Sequence, residues 1–265
     1  MSLQLQVDRW YAAISERHST RSFRQETVDE EVLGSLAYTC GRSTLPGVRS
    51  ILISQPAEKI LRGLIGGYGA ISGAQAFMAF VGDTEHPLMQ ENIGYLGEAM
   101  ILEATRLQLG SCWVGGFFRE EEVKRHIELK PSERVLCVCP VGYPMLRQGL
   151  KDILFKRLAH SAERKPLSQI TTGLSEERWP EWVRSGLDAA RIAPSAANRQ
   201  PWLFEVADDA VTISIQGQDN ANGKLSKRLD CGIAMLHFEI GARHAGAIGE
   251  WEHLAHPQVA RFVKH

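Results

Sequence analysis

Charge of one sign is what this sequence most conspicuously lacks. Its 265 residues carry 30 Lys and Arg against 31 Asp and Glu, a formal net charge of -1 with histidine neutral. No global field therefore draws the chain to nucleic acid or to an anionic membrane, and any anion it binds must be gripped locally. Long hydrophobic runs are missing too. Nothing approaches the ~18 to 20 apolar residues needed to span a bilayer, and Met1 to Arg9 lacks the charged start and apolar stretch of a secretion signal. The expectation is a cytoplasmic protein with neither a membrane nor a nucleic-acid partner.

Cysteine is sparse. The five, Cys40, Cys112, Cys137, Cys139 and Cys231, form no CxxC pair and have no neighbouring His set as metal ligands, so no metal is expected. They read as reduced and buried, with Cys137 and Cys139 on one strand face as small hydrophobes. A dinucleotide-binding fingerprint is also absent: Gly63-Leu-Ile-Gly-Gly-Tyr-Gly69 has the wrong spacing and no Lys-Ser or Lys-Thr. A nicotinamide, if used, should visit only transiently.

What is present is enough chain to bury a substantial core and enclose a cofactor, as one large domain or two interlocked halves. Trp10, Ala13 and Ile14 recur at helical spacing over 7–17. Thr27 followed by Glu30 matches a capping box that would start a second helix, running to about Cys40. Ser50–Ser54 and Ala76–Gly82 are short apolar runs that read as buried strands. From Glu91 to Leu109, apolar residues at three and four end at Gly110, which marks a long core helix. A charged helix over 120–126 and a strand over 134–142 follow. Residues 145–172 read as a basic surface connector.

Beyond it come a helix over 179–191, a hairpin of Leu203–Val206 with Val211–Ile215, and a long helix from about Asp230 to Ala245. The span from Gly94 through Gly110 to Trp113 is echoed by Gly232, Gly249 and Trp251, a weak internal repeat.

Two segments carry chemistry. Arg17-His-Ser-Thr-Arg21 places two guanidinium groups and two hydroxyls just past a helix, a geometry suited to gripping a phosphate, although the segment taken alone reads more readily as a solvated helix end. Ala193-Pro-Ser-Ala-Ala-Asn-Arg-Gln-Pro-Trp202 combines prolines, small residues and amides able to read a heterocycle, or forms a helix-ending turn over a buried Trp.

Together these segments resemble the FMN-dependent nitroreductase family, whose chains pair an N-terminal Arg-x-Ser-x-Arg or -Lys with a Pro-Ser-x-x-Asn-x-Gln-Pro-Trp loop. Leu109-Gly-Ser-Cys-Trp-Val-Gly-Gly-Phe117 looks like the family segment lining the flavin ring. Gly142-Tyr-Pro144 looks like the end of its core strand, and Arg164-Lys165-Pro166 is similar to a basic pair beyond that strand. The resemblance implies an α+β fold, a mainly antiparallel sheet covered by helices. It also implies FMN held by Arg17, His18, Ser19, Arg21, Arg164 and Lys165, with Pro194, Ser195 and Asn198 meeting the ring and Gly115 and Gly116 near its N5 edge. No side chain is assigned a catalytic role, because the flavin supplies the redox chemistry.

In ordinary family chains the Arg segment and the Pro-Ser loop lie within about one helix of each other. Here Arg17 and Pro194 stand two-thirds of the chain apart, and the place after the second helix holds Thr39-Cys-Gly-Arg-Ser-Thr-Leu-Pro-Gly47 instead. Family members are homodimers with flavin at the interface, so the chain looks like a fused, asymmetric dimer. Residues 1–172 would carry the Arg segment and 173–265 the loop. One FMN per chain is expected, in a monomeric pseudo-dimer or a further homo-oligomer of it. The implied activity is NAD(P)H-dependent reduction of small nitroaromatic or quinone acceptors. Flavin reduction, reductive dehalogenation and a non-enzymatic flavin-binding role stay open beside it.

Overall fold

The computed structural model describes residues 3–61, 71–145, 163–219 and 225–265. The glycine-rich Gly63–Gly69 stretch and most of the basic connector, 146–162, lie outside the described residues.

The first half opens with α1 (Val7–Glu16) and α2 (Glu30–Arg42), then β1 (Thr44–Leu45), β2 (Val48–Ile53), β3 (Ala76–Asp83) and α3 (Met89–Arg106). Strands β4 (Gly110–Ser111) and β5 (Val114–Gly115), helix α4 (Glu120–Lys124) and strand β6 (Glu133–Gly142) complete it. The second half contains α5 (Leu167–Ile170), β7 (Thr171–Gly173), α6 (Glu181–Arg191), β8 (Trp202–Val206), β9 (Ala210–Ile215) and α7 (Lys227–His244). It ends with β10 (Gly249–His253) and β11 (Gln258–Lys264). This is an α+β arrangement of two sheets flanked by helices.

The sheets repeat one order. In the first, β1-β2-β3-β6-β4 are neighbours with β5 also on β6; in the second, β10-β11-β9-β8-β7. All pairings are antiparallel except β7 with β8. The expected boundary at residue 172 falls inside β7, a strand of the second sheet.

Strand β3 shows why its sequence is apolar throughout. Side chains alternate across a strand: Ala76, Met78 and Phe80 enter the main core, while Phe77, Ala79 and Val81 enter a second cluster on the other face. Strand β8 has one buried face only, with Trp202, Phe204 and Val206 inside and Glu205 outside.

Helices α3 and α7 are buried on nearly every side and cross at glycines. Next to the crossing, Arg228 of α7 makes a bidentate pair with Glu91 of α3, Nη2 to Oε1 at 2.7 Å and Nε to Oε2 at 3.1 Å. Ser226 caps α7, its Oγ accepting the Arg228 N–H at 3.0 Å.

One reading of the sequence needs correction and one element went unread. The Thr27–Glu30 capping box does not form: Asp29 holds the N-cap position, without a side-chain cap. Its carboxylate instead accepts the Tyr143 hydroxyl at 2.9 Å, a tertiary partner that outcompetes the local one. The β10–β11 hairpin was also not expected. It joins the second sheet through β11 on β9.

Candidate functional site

Helix α1 delivers Arg17 to the interior. Its side chain is 8% exposed and its Nε lies 3.7 Å from Glu98 Oε1 of α3, beyond hydrogen-bond reach. Arg21 is buried, as is Thr20. Arg17 Nε, Thr20 Oγ1 and Arg21 Nε are all buried without a hydrogen-bond partner. Three unmet polar groups within five residues are costly unless something not in the protein meets them. The backbone here is fixed, since Thr20 N donates to Ser111 O at 2.8 Å and Ser19 bridges Ser111. His18 is exposed, with Nδ1 3.1 Å from the Glu16 carbonyl, and stands apart from the buried arginines.

Arg164 comes from the segment after the connector. Its Nη1 donates to Asn198 Oδ1 at 3.0 Å and its Nη2 lies 3.4 Å from the Ile192 carbonyl. Burial holds its guanidinium below the usual proton affinity, and the positive charges of Arg17 and Arg191 add to that effect. Arg164 thus touches the 193–200 loop through Asn198 and lies near enough to Arg17 and Arg191 for their charges to act on it. Lys165 is committed elsewhere: Nζ donates at 3.0 Å to both Gln200 O and Gln216 Oε1.

The loop over 193–200 is strained and internally tied. Ala197, Asn198 and Gln200 have φ of 51°, 53° and 48°, a left-handed conformation that non-glycine residues seldom adopt. Ser195 Oγ accepts the Gln200 N–H at 2.8 Å, and Ala196 N donates to Asp230 Oδ1 at 2.9 Å. The amides expected to read a heterocycle hold the connector instead. Asn198 Nδ2 donates to Glu163 O, and Gln200 Oε1 accepts the Lys165 N–H. Pro194 precedes this tie, half-buried.

Gly115 and Gly116 sit beside β6. Gly116 has φ +85° and open space where a side chain would go, whereas Leu225 from the second half covers Gly115. Trp113, two residues earlier, donates to Glu98 Oε2 at 2.7 Å, which links this turn to the Arg17 side.

The family described as "Putative TM nitroreductase" matches residues 9–242. The chain belongs to that nitroreductase family. Among curated proteins none matches it. The fold of this nitroreductase-family chain is similar to that of a protein described as a putative nitroreductase from Thermotoga maritima MSB8. The TM-score is 0.64 at 18% identity, over 98% of this chain and 95% of that one. A nitroreductase with bound FMN from Desulfitobacterium hafniense DCB-2 matches at 19% identity, over 53% of this chain and 91% of that one, with a TM-score of 0.43. An FMN-dependent nitroreductase from Clostridium difficile R20291 gives 18%, 51%, 88% and 0.42 in the same order.

Residues that the sequence did not single out lie beside these segments: Glu98 next to Arg17, Arg191 acting on Arg164 and Asp230 holding Ala196. Arg191 ends α6, where a basic residue is ordinarily read as complementing the helix dipole, so its sequence position carries no distinctive signal. All five cysteines are free and buried, and burial pushes the Cys40 thiol up to about 12. Among the described residues no acidic, His or Cys group is arranged to hold a metal, and no helix is long and apolar enough to cross a membrane.

Proposed function

We propose that this chain is an FMN-dependent oxidoreductase with one flavin site per chain, reduced by NAD(P)H and reoxidised by a small nitroaromatic or quinone acceptor. The observation that carries this reading is the set of buried, unpartnered donors at Arg17 Nε, Thr20 Oγ1 and Arg21 Nε, with Arg164 near enough to feel the charges of Arg17 and Arg191. A phosphate dianion and the hydroxyl-bearing chain attached to it match both features.

In this reading Arg17, Ser19, Thr20, Arg21, Arg164 and Arg191 hold the phosphate end. His18 and Lys165 stay at its margin. Pro194, Ser195 and Asn198 bound the site from the second half, with Asn198 setting the direction of Arg164. Gly116 leaves room for a planar group. When bound, FMN supplies the hydride chemistry; the protein binds it, orients it and limits access of water.

We also infer that the chain is two fused, pseudo-symmetric halves, divided ahead of α5 rather than at residue 172, where the cut would split β7. The repeated strand order supports this, as does a cavity of about 470 Å³ lined by Leu45, Tyr95, Met235, Trp251 and His253 among others. The offset that takes Gly94 to Gly232 also takes Trp113 to Trp251 and Gly115 to His253. At the counterpart position an imidazole therefore replaces a glycine, and the arginine that lines this cavity, Arg243, is tied to Glu239 at 2.7 Å, which supports a single site.

Stopped-flow mixing of the flavin-loaded protein with NADH and with NADPH tests the reading. Bleaching of the flavin absorbance by either, followed by recovery on adding a nitroaromatic or quinone, is expected. No bleaching with either nicotinamide overturns the proposed activity.

A further inference from the structure

Between the two central helices lies a completely buried pair that the flavin reading does not use, Glu98 of α3 and His237 of α7. His237 Nδ1 is 3.1 Å from the Ala189 carbonyl, which can only accept, so Nδ1 carries a hydrogen. Its Nε2 lies 2.9 Å from Glu98 Oε1. A bare ring nitrogen and a bare carboxylate oxygen do not approach this closely, so a proton lies between them. Whichever atom owns that proton, imidazole and carboxyl together have no net charge.

The other Glu98 oxygen accepts the Trp113 indole N–H at 2.7 Å. Glu98 is thereby satisfied without Arg17, whose Nε stays 3.7 Å away and unpartnered. Glu98 is also the only carboxylate within ion-pair distance of Arg17 among the described residues.

We propose that His237 is a positioning residue for charge: by sharing a proton with Glu98 it prevents that carboxylate from neutralising Arg17, so the full Arg17 charge is kept for an anionic ligand. With FMN as that ligand the inference rests on the proposed function, but the claim about anions is separable from it.

The two partners should then respond in opposite directions, which a merely structural role would not produce. In His237→Gln the side chain can still hydrogen-bond but cannot supply the shared proton. Glu98 becomes a bare anion beside Arg17, and FMN affinity, read by quenching of flavin fluorescence, should fall at least about tenfold. Glu98→Gln removes the carboxylate and should bind FMN as tightly as the wild type or more so. The double variant should recover affinity lost in His237→Gln.

An unchanged affinity in His237→Gln, or a double variant as weak as His237→Gln, overturns the proposal. So does a folded Glu98→Gln that binds about tenfold more weakly, which decides the matter even if His237→Gln fails to fold. If the wild type binds no FMN, the flavin reading fails and inorganic phosphate becomes the probe, by thermal shift. Phosphate stabilising wild type and Glu98→Gln more than His237→Gln supports the charge claim; equal shifts, or none in the wild type, refute it.

Discussion

Gly94 of α3 presses against the backbone of Leu229, and Gly232 of α7 presses against the backbone of Glu91. One sequence offset carries Gly94 to Gly232 and Glu91 to Leu229, so each contact is the image of the other, as at a two-fold interface. The same offset carries Asn92 to Asp230. Asn92 Nδ2 donates to the Pro46 carbonyl at 2.9 Å, while Asp230 Oδ1 accepts from Ala196 N at 2.9 Å. Each central helix thus tethers the loop ahead of the first long strand of its own half.

A Cβ at Gly94 would overlap the Leu229 carbonyl, and backbone on a packed helix cannot yield cheaply. Gly94→Ala should destabilise by more than about 2 kcal/mol, despite the better helix propensity of alanine. Gly34 of α2, with nothing within 4 Å, is the control: Gly34→Ala should be neutral or stabilising by up to ~1 kcal/mol. Chemical denaturation of the two variants measures both, and equal effects would remove the special status of the crossing.

Asp230 makes the fold sensitive to pH. Burial is the largest influence on its carboxyl, raising it to about 6, against the lowering effect of the Ala196 N–H and of Arg199. A carboxyl raised above its unfolded value contributes stability that is fully present below about pH 4 and is lost as pH rises through about 6. Asp230→Asn keeps an acceptor for Ala196 N and removes that loss. It should exceed the wild type by on the order of 2 kcal/mol near pH 7.5, with the gap closing towards pH 4. Urea unfolding across that range checks it; a variant less stable at every pH contradicts the assignment.

The 193–200 loop carries strain that one substitution can relieve. Ala197, at φ 51°, is exposed, and a left-handed residue with a Cβ costs about 1 kcal/mol relative to glycine. Ala197→Gly should raise the thermal midpoint by a few degrees and Ala197→Val should lower it. The reverse order would show that the strain is illusory.

Much of this architecture is legible in the sequence because apolar spacing determines it. The helix around Ile93–Ala104 follows its apolar periodicity, and the strand around Phe80 is legible as an apolar run bounded by turn formers. The β10–β11 hairpin was missed because β10 is a five-residue strand in which Trp251 stands between exposed Glu250 and Glu252. The Thr27 cap failed because the helix starts at Glu30, which makes Asp29 the N-cap, and Tyr143, far along the chain, claims the Asp29 carboxylate.

At the site, Arg17 and Arg164 announced themselves through their neighbours in sequence. Glu98 and His237 did not, since each alone is one polar residue on a core helix and only the crossing of α3 with α7 makes them a pair. The roles of Asn198 and Gln200 were hidden for the same reason: what an amide binds depends on what the fold sets opposite it, here residues 163–165.

The central claim is one flavin site made by both halves of one chain. The most direct measurement is the ratio of FMN to chain after reconstitution and removal of free flavin, from absorbance and amino-acid analysis. The account predicts a ratio near one, greatly reduced by Arg17→Met; a ratio near two, or no retained flavin, would contradict it.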